Sequence, residues 1–462
     1  MVTTGQQAGF LTGPLYTIHK ALSTIRLAAT LEERLGVLVL PVFWVASEDH
    51  DWEEANHAYL GSRRSGPTRI TLSGAASPAV PMSERTLGEE VKNTIDDVAD
   101  IVGMAPYADA IMKWIRDAYR PERTVGGAFG ELLGTMLSGF DLCIADAADP
   151  ALKRASVGVL TRGLEKAGEL EERQRARSVA LDEAGYHGQV ALVERATNVF
   201  YHAESGRERL YRKDGGGYEA RAAEVEFGRE GVGEVIAADP GRFSPNVLLR
   251  PIVESAVFPT LAYVGGPGEI AYFAQVTALF PAFDIEAPVV VPRGSVLLVD
   301  PVVRRLMRRL GVESEELAIP RQRLETELAR RELPPSVTEA LERMRAVVAE
   351  GYQGAIDGAD PIDPTLKGAL GRLRNEVLHR LAESERKVIQ GVKRRDFAKK
   401  AQLDRILGSL RPLGKPQDRV LNVVPFLARY GPSLLDRIAE ALVPDLEEEG
   451  VASPATPRNA GV

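Results

Sequence analysis

The 462-residue chain has a single cysteine, Cys143. That count excludes an internal disulfide and any zinc site built from two or more thiolates. The residue lies in Phe140-Asp141-Leu142-Cys143-Ile144-Ala145, which reads as a buried strand, so core packing is expected of the thiol rather than chemistry. No apolar run approaches the roughly 20 residues needed to cross a bilayer. Met1 to Gln7 carries neither the basic start nor the apolar stretch of a secretory signal. The expectation is a cytoplasmic protein with no membrane partner. An excess of positive charge is also missing: 57 Lys and Arg face 65 Asp and Glu, a formal net charge of -8. No nucleic-acid partner is expected, because phosphate neutralisation needs the opposite balance. Local basic runs such as Lys393-Arg394-Arg395 fit a solvated helix face.

What the chain does have is 44% hydrophobic residues over a length suited to two or three domains. Thr4-Gly5-Gln6-Gln7-Ala8-Gly9-Phe10-Leu11-Thr12-Gly13-Pro14 predicts a strand running into a glycine-punctuated loop, then a long helix to about Leu35. Gly5, Gly9 and Gly13 permit close backbone approach or positive φ, and Pro14 suits a first helical position, so this layout points free amides at one anion. An ordinary strand-to-helix turn is the competing reading. Leu15, Ile18, Leu22, Ile25 and Ala29 form the stripe that packs on a sheet, while Tyr16, His19, Ser23 and Arg26 share another face. Helical side chains lean toward the N-terminus, so His19 is expected to reach back to the loop.

Val37 to Ala46 reads as a buried parallel strand ending in Ser47-Glu48-Asp49-His50-Asp51. Ligands of open α/β sheets bind beyond the carboxyl ends of strands. An anion loop and an acid cluster around a histidine are therefore expected at one edge. Asp51 with Glu54 also has the spacing of a capping box, a purely structural use. Residues 83–137 read as mostly helical, Phe140 to Ala145 as a third strand, and Pro150 to Ala184 as a helix. Alternating segments, among them Val190 to Val193 and Asn198 to Tyr201, predict a small β insertion. Thr260 to Val264 is a further strand, turning through Gly265-Gly266-Pro267 into a helix with Glu269 in its first turn, where the dipole favours a carboxylate. Val289 to Val291 and Val296 to Val299 read as short strands around Pro292-Arg293-Gly294-Ser295. From Val337 to Leu410, apolar steps of three and four on charged segments, interrupted at Gly358-Ala359-Asp360-Pro361, predict an antiparallel helical coiled coil with apolar surface left for a homodimer.

Several motifs in this order carry a resemblance. Thr4-Gly5-Gln6-Gln7, Thr12-Gly13-Pro14-Leu15-Tyr16-Thr17-Ile18-His19-Lys20, Ser47-Glu48-Asp49-His50-Asp51, Tyr263-Val264-Gly265-Gly266-Pro267-Gly268-Glu269-Ile270-Ala271-Tyr272, Arg419-Val420-Leu421-Asn422 and Tyr430-Gly431-Pro432 resemble the bacillithiol-biosynthesis cysteine-adding enzyme family. Members usually carry a further segment ahead of the Thr-Gly-Gln-Gln motif and this sequence begins inside it, so either its start lies farther upstream or the first strand lacks its usual support. The resemblance implies an α/β fold with a Rossmann-like parallel sheet core of the class I aminoacyl-tRNA synthetase-like type. The lysine-rich motif that such proteins carry after the last core strand is absent, with Arg293 and Ser295 in its region. The expected division is a core over 1–310, with a helical insertion at about 52–138 and a small β insertion at about 187–240. A coiled coil over 311–411, a segment over 412–445 packing back on the core, and a disordered tail over 446–462 complete it.

The activity implied is a ligase that joins L-cysteine through an amide bond to the amino group of glucosaminyl malate. A carboxylate is a poor acyl donor, so activation as a phosphate or adenylate is expected, followed by attack of a deprotonated amine. ATP or ADP is the corresponding cofactor, although the sequence holds no complete nucleotide motif. Gly5, Gln6, Gln7, Thr12, Gly13, Tyr16 and His19 are the candidates for anion or substrate binding. Tyr263, Gly265, Gly266 and Glu269 join them from the neighbouring strand end. Asp49, His50 and Asp51 are the catalytic candidates, with Asp49 alternatively holding the cysteine ammonium and Arg250 or Arg293 the malate carboxylates. His19 and His50 are the residues a zinc site would use, but no metal is expected. The alternative function is a non-catalytic nucleotide-binding protein with a coiled-coil interaction module.

Overall fold

The structure, a computed structural model, describes residues 1–61, 66–74, 79–395 and 397–442. The expected tail at 446–462 lies outside the described residues. Two compact units emerge, one running to Val296 and resuming at Asp418, the other spanning Leu297–Gln417. The division falls at Val296 rather than at 310. Val296 to Val299, read as a strand, is irregular chain leading into the Pro301–Leu310 helix, whose Val303 and Met307 pack with Ile406 and Leu410 of the second unit.

The first unit is centred on a five-stranded parallel sheet. Its order is Val289–Pro292, Ala262–Gly265, Val2–Gln7, Pro41–Ala46, Cys143–Asp146. The amino-terminal strand is central and pairs on both sides, with Gly5 opposite Trp44. From it the chain builds the sheet first in one direction and then in the other, so the connections diverge between Val2–Gln7 and Ala262–Gly265. That divergence opens a crevice at the carboxyl ends of the strands. Val42, Phe43, Trp44 and Val45 are all buried, as expected of a strand covered on both faces. The strand is shorter than expected, because Val37 and Leu38 are exposed ahead of it. The Tyr16–Leu35 helix lays Leu15, Ile18, Ala21 and Leu22, all fully buried, against the core. Pro14 precedes the helix in a turn instead of opening it.

Cys143 is exposed, contrary to its expected place in the core. It begins the edge strand of the sheet, where a neighbour exists on one side only.

The insertions differ from expectation in detail. Residues 52–138 include the hairpin His57–Leu60 with Thr68–Thr71 beside the helices Val91–Val102, Ala108–Ala118 and Val125–Met136. The helix expected from Pro150 to Ala184 is two, Pro150–Glu165 and Ala167–Glu183. A second, antiparallel sheet orders Phe243–Pro245, Ala196–Ala203, Gly206–Arg212, Tyr218–Ala220 and Val225–Phe227. Val190 to Val193 forms no strand of it.

In the second unit, Pro335–Ala359 and Leu366–Arg395 form the expected antiparallel pair. Arg374 reaches Gln353 near the turn and Arg345 pairs with Glu385 farther along, so the partners separate in sequence as they leave it. Among the described residues no helix is long and apolar enough to cross a membrane.

Candidate functional site

At the sheet's switch point a cleft of about 730 Å³ opens, walled by Gly5, Gln6 and Gln7 from the central strand and by Tyr16 and Lys20 from the helix that follows. Gly266, Pro267 and Glu269 close it from the next strand's turn. Gly5 is needed there for close approach. A Cβ on it would lie 3.1 Å from the Trp44 carbonyl oxygen and 3.5 Å from Arg250 Nη1.

Beneath these residues runs a buried polar network. Lys20 Nζ lies 2.7 Å from Glu269 Oε2, donates to the Gly5 carbonyl, and reaches Gln6 Oε1 at 3.2 Å. Tyr263 donates to Glu269 Oε1 at 2.6 Å, and the Gly266 amide donates to Oε2 at 2.8 Å. Burial opposes ionisation of Glu269, but the Lys20 ammonium, the Tyr263 hydroxyl and that amide hold its carboxyl below the usual range. Arg250 donates to Tyr263 at 3.2 Å and to Tyr272 at 2.8 Å while pairing with Glu254. A carboxylate in a helix's first turn is common for dipole reasons alone, yet Glu269 also carries the floor of the cleft.

Arg293 lines the cleft with its charge already matched. Its Nη2 lies 2.6 Å from Asp418 Oδ2, which also accepts from Ser295 Oγ at 2.9 Å. Burial opposes ionisation of Asp418, but His19, Arg293 and Ser295 hold it well below the usual carboxylate range. His19 is fully buried, its Nδ1 3.8 Å from Asp418 Oδ2, and burial lowers its affinity for a proton. It faces this pair instead of the cleft.

The glycine loop is closed. Leu11 and Thr12 adopt positive φ and are fully buried, and Gly13 has φ 71°. The Leu11 amide donates to Tyr119 Oη at 2.7 Å, the Gly13 amide to the Phe10 carbonyl and the Leu15 amide to Leu421. Asn422 Nδ2 bonds the carbonyls of Leu11 and Gly13, each at 2.6 Å. These amides are spent inside the protein, so Thr12 and Gly13 brace the cleft without lining it.

The acid cluster divides. Asp49 and Glu48 line the cleft, whereas His50 and Asp51 do not. Asp49 Oδ1 accepts from the His50 and Asp51 amides at 2.7 and 3.3 Å. Asp51 caps the Trp52–Ala55 helix through the Glu54 amide at 3.1 Å, the structural use its spacing suggested. The His50 ring keeps Nδ1 3.7 Å from Asp49, and burial and Arg207 lower its proton affinity. Gly265 and Tyr263 lie behind the lining, and Gly266, Glu269, Arg250 and Arg293 are on it.

Sequence reasoning assigned no site role to Lys20, Glu54, Arg207, Arg209 or Arg419, all of which line the cleft. Lys20 and Arg419 lie inside the motifs that carry the family resemblance, and the spacing of Glu54 from Asp51 signals only a capping box. Burial, Asp51 and Asp49 push the Glu54 carboxyl up.

A parallel sheet with a charged cleft at its switch point, and a separate helical hairpin unit, define a Rossmann-like protein with a coiled-coil domain. Residues 1–294 match the family described as bacillithiol biosynthesis BshC, N-terminal Rossmann-like domain, and residues 296–448 match its C-terminal coiled-coil domain. The chain belongs to the BshC family. It is 30% identical over 440 residues to a Koribacter versatilis protein named "Putative cysteine ligase BshC", covering 95% of this chain and 81% of the relative. A Bacillus cereus protein of the same name is 29% identical over 441 residues, covering 95% and 82%.

Proposed function

We propose that this chain is a cysteine ligase of bacillithiol biosynthesis, forming an amide between the cysteine carboxylate and the amino group of glucosaminyl malate. The observation that carries the reading is the cleft at the switch point, whose lining sets carboxylates and guanidiniums around a space large enough for two small polar substrates. Glu54 and Arg419 suit the ammonium and carboxylate of a free amino acid. Asp49 suits an amine that must lose a proton before attack, since its carboxylate stands at the end of a rigid strand. Lys20, held by Glu269, Gln6 and the Gly5 carbonyl, keeps the floor of the cleft in place beneath the reacting groups.

Activation by ATP belongs to the same proposal, because a free carboxylate needs a leaving group. Incubating the full chain with cysteine and glucosaminyl malate, with and without ATP, should yield cysteinyl-glucosaminyl malate by mass spectrometry only when nucleotide is present. Nucleotide binding without any amide product would instead support a non-catalytic nucleotide-binding role. The proposed assembly is a homodimer through the coiled coil, whose Leu373 and Val347 are exposed. Leu373→Glu with Leu381→Glu should then halve the mass seen by light scattering.

A further inference from the structure

The cations around the cleft are not equivalent. Lys20 is paired with Glu269, Arg250 with Glu254 and Arg293 with Asp418, so none of these offers uncompensated charge to a ligand. Among the described residues, Arg209 and Arg419 line the cleft with side chains in no hydrogen bond or ion pair.

The two unpaired arginines stand in different surroundings. Tyr16 marks the first: its hydroxyl is pushed up to about 12 by burial, Glu54 and Glu269, with Arg293 and Arg419 acting the other way. Charges of both signs balance there, as a zwitterion requires. Arg209 belongs to the second sheet. Strand alternation puts Arg207 and Arg209 of Gly206–Arg212 on one face, and Leu210 on the opposite face in the core. Phe200 is the cross-strand neighbour of Arg209, and the guanidinium carbons of Arg207 and Arg209 lie 4.1 and 5.3 Å from its ring centre.

Arg207 is spent on Ser244 Oγ and the Pro245 carbonyl, both at 2.9 Å, which fixes the ring and leaves Arg209 to the cleft. Glu48 is matched by Lys153. Glu48 and Asp49 act on Arg207, while Arg209 stands beside it in no ion pair among the described residues. Nearby His202 is pushed down to about 3 chiefly by burial, with Lys153, Arg207, His50 and Arg242 adding to it.

We infer that Arg209, presented with Phe200 by the inserted sheet, is the specificity-determining residue that takes the carboxylates of the acceptor's acidic arm. This rests on the ligase reading for the acceptor's identity. It moves that contact away from Arg250 and Arg293, whose charges Glu254 and Asp418 already match. Planar guanidinium on a planar ring also suits carboxylate, because the fork of donors stays free at its edge.

The test is titration calorimetry on the full chain with glucosaminyl malate and, as a probe without the acidic arm, methyl glucosaminide. Arg209→Gln should weaken glucosaminyl malate about 10- to 100-fold, the usual effect of losing one charged hydrogen-bonding partner. It should leave methyl glucosaminide unchanged. Arg209→Lys, which retains the charge and guards against a folding defect, should fall between. Unchanged binding of glucosaminyl malate to Arg209→Gln, or equal losses for both probes, would overturn the assignment. Binding that depends on Arg209 in a wild-type protein forming no cysteine amide would retire the ligase reading and leave an acidic-sugar site. Amide formation with unchanged KM in Arg209→Gln would do the reverse.

Discussion

Lys20 and Glu269 are 249 positions apart in sequence, and their charged ends meet 2.7 Å apart beneath the cleft. The lysine side chain is 1% exposed and the glutamate 22%. Removing one member strands a buried charge, and the usual cost is about 3–5 kcal/mol. Lys20→Met should lower stability by about that amount in urea unfolding followed by tryptophan fluorescence. Lys20→Met with Glu269→Met should recover most of the loss. A single substitution costing under about 1 kcal/mol would show that water reaches the pair.

Asn422 clamps the glycine loop from the far end of the chain. Its amide nitrogen bonds two carbonyls, and its Oδ1 accepts from the Val424 amide at 2.8 Å, all in a fully buried position. Asn422→Leu leaves those groups without partners, at about 1–3 kcal/mol for an unsatisfied buried group. The expected outcome is a stability loss of about 3 kcal/mol and weaker binding in the cleft, because Leu11 and Thr12 no longer have support for their positive φ. Calorimetric melting together with ligand titration reads both effects.

Asp49 and His50 should separate in activity. Only the carboxylate lines the cleft, while the imidazole stands behind it. Asp49→Asn should lower amide formation by about 10² or more, the usual scale for a lost general base. His50→Gln should cost less than about tenfold. Single-turnover product formation distinguishes the pair, and a larger loss at His50 would return the proton transfer to the histidine.

His202 makes stability depend on pH. Folded, it resists protonation until about pH 3, whereas in the unfolded chain it protonates near its ordinary value of 6.5. Between these values the unfolded state binds the extra proton, so stability should fall as pH drops through that window. Below about 3 this contribution no longer changes. His202→Asn should flatten the slope between pH 6.5 and 4 in denaturant titrations, and an unchanged slope would assign it to other groups.

Much of the fold was legible because it depends on local patterns. The alternation and apolar runs of Val2–Gln7, Pro41–Ala46 and Ala262–Gly265 report strands that must be covered, and Pro267 beside two glycines reports the helix start. Steps of three and four from Val337 onward report the helical pair for the same reason. Cys143 misled because an apolar neighbourhood does not reveal whether a strand lies at the centre or the edge of its sheet.

Of the site, the sequence determined the strand ends and the turns that follow them, hence the presence of Gly5, Gln6, Gln7, Asp49 and Glu269 at one edge. Local pattern also announced Asp51 as a cap. Only the tertiary structure decided which charges remain available. Whether Arg250, Arg293 or Arg209 meets a ligand depends on where Glu254, Asp418 and Phe200 come to rest, and the Arg293–Asp418 contact spans a sequence separation that carries no local signal. Burial decided the rest: the glycine loop has the composition of an anion site, but Tyr119, Leu421 and Asn422 arrive from elsewhere in the chain and take its hydrogen bonds first.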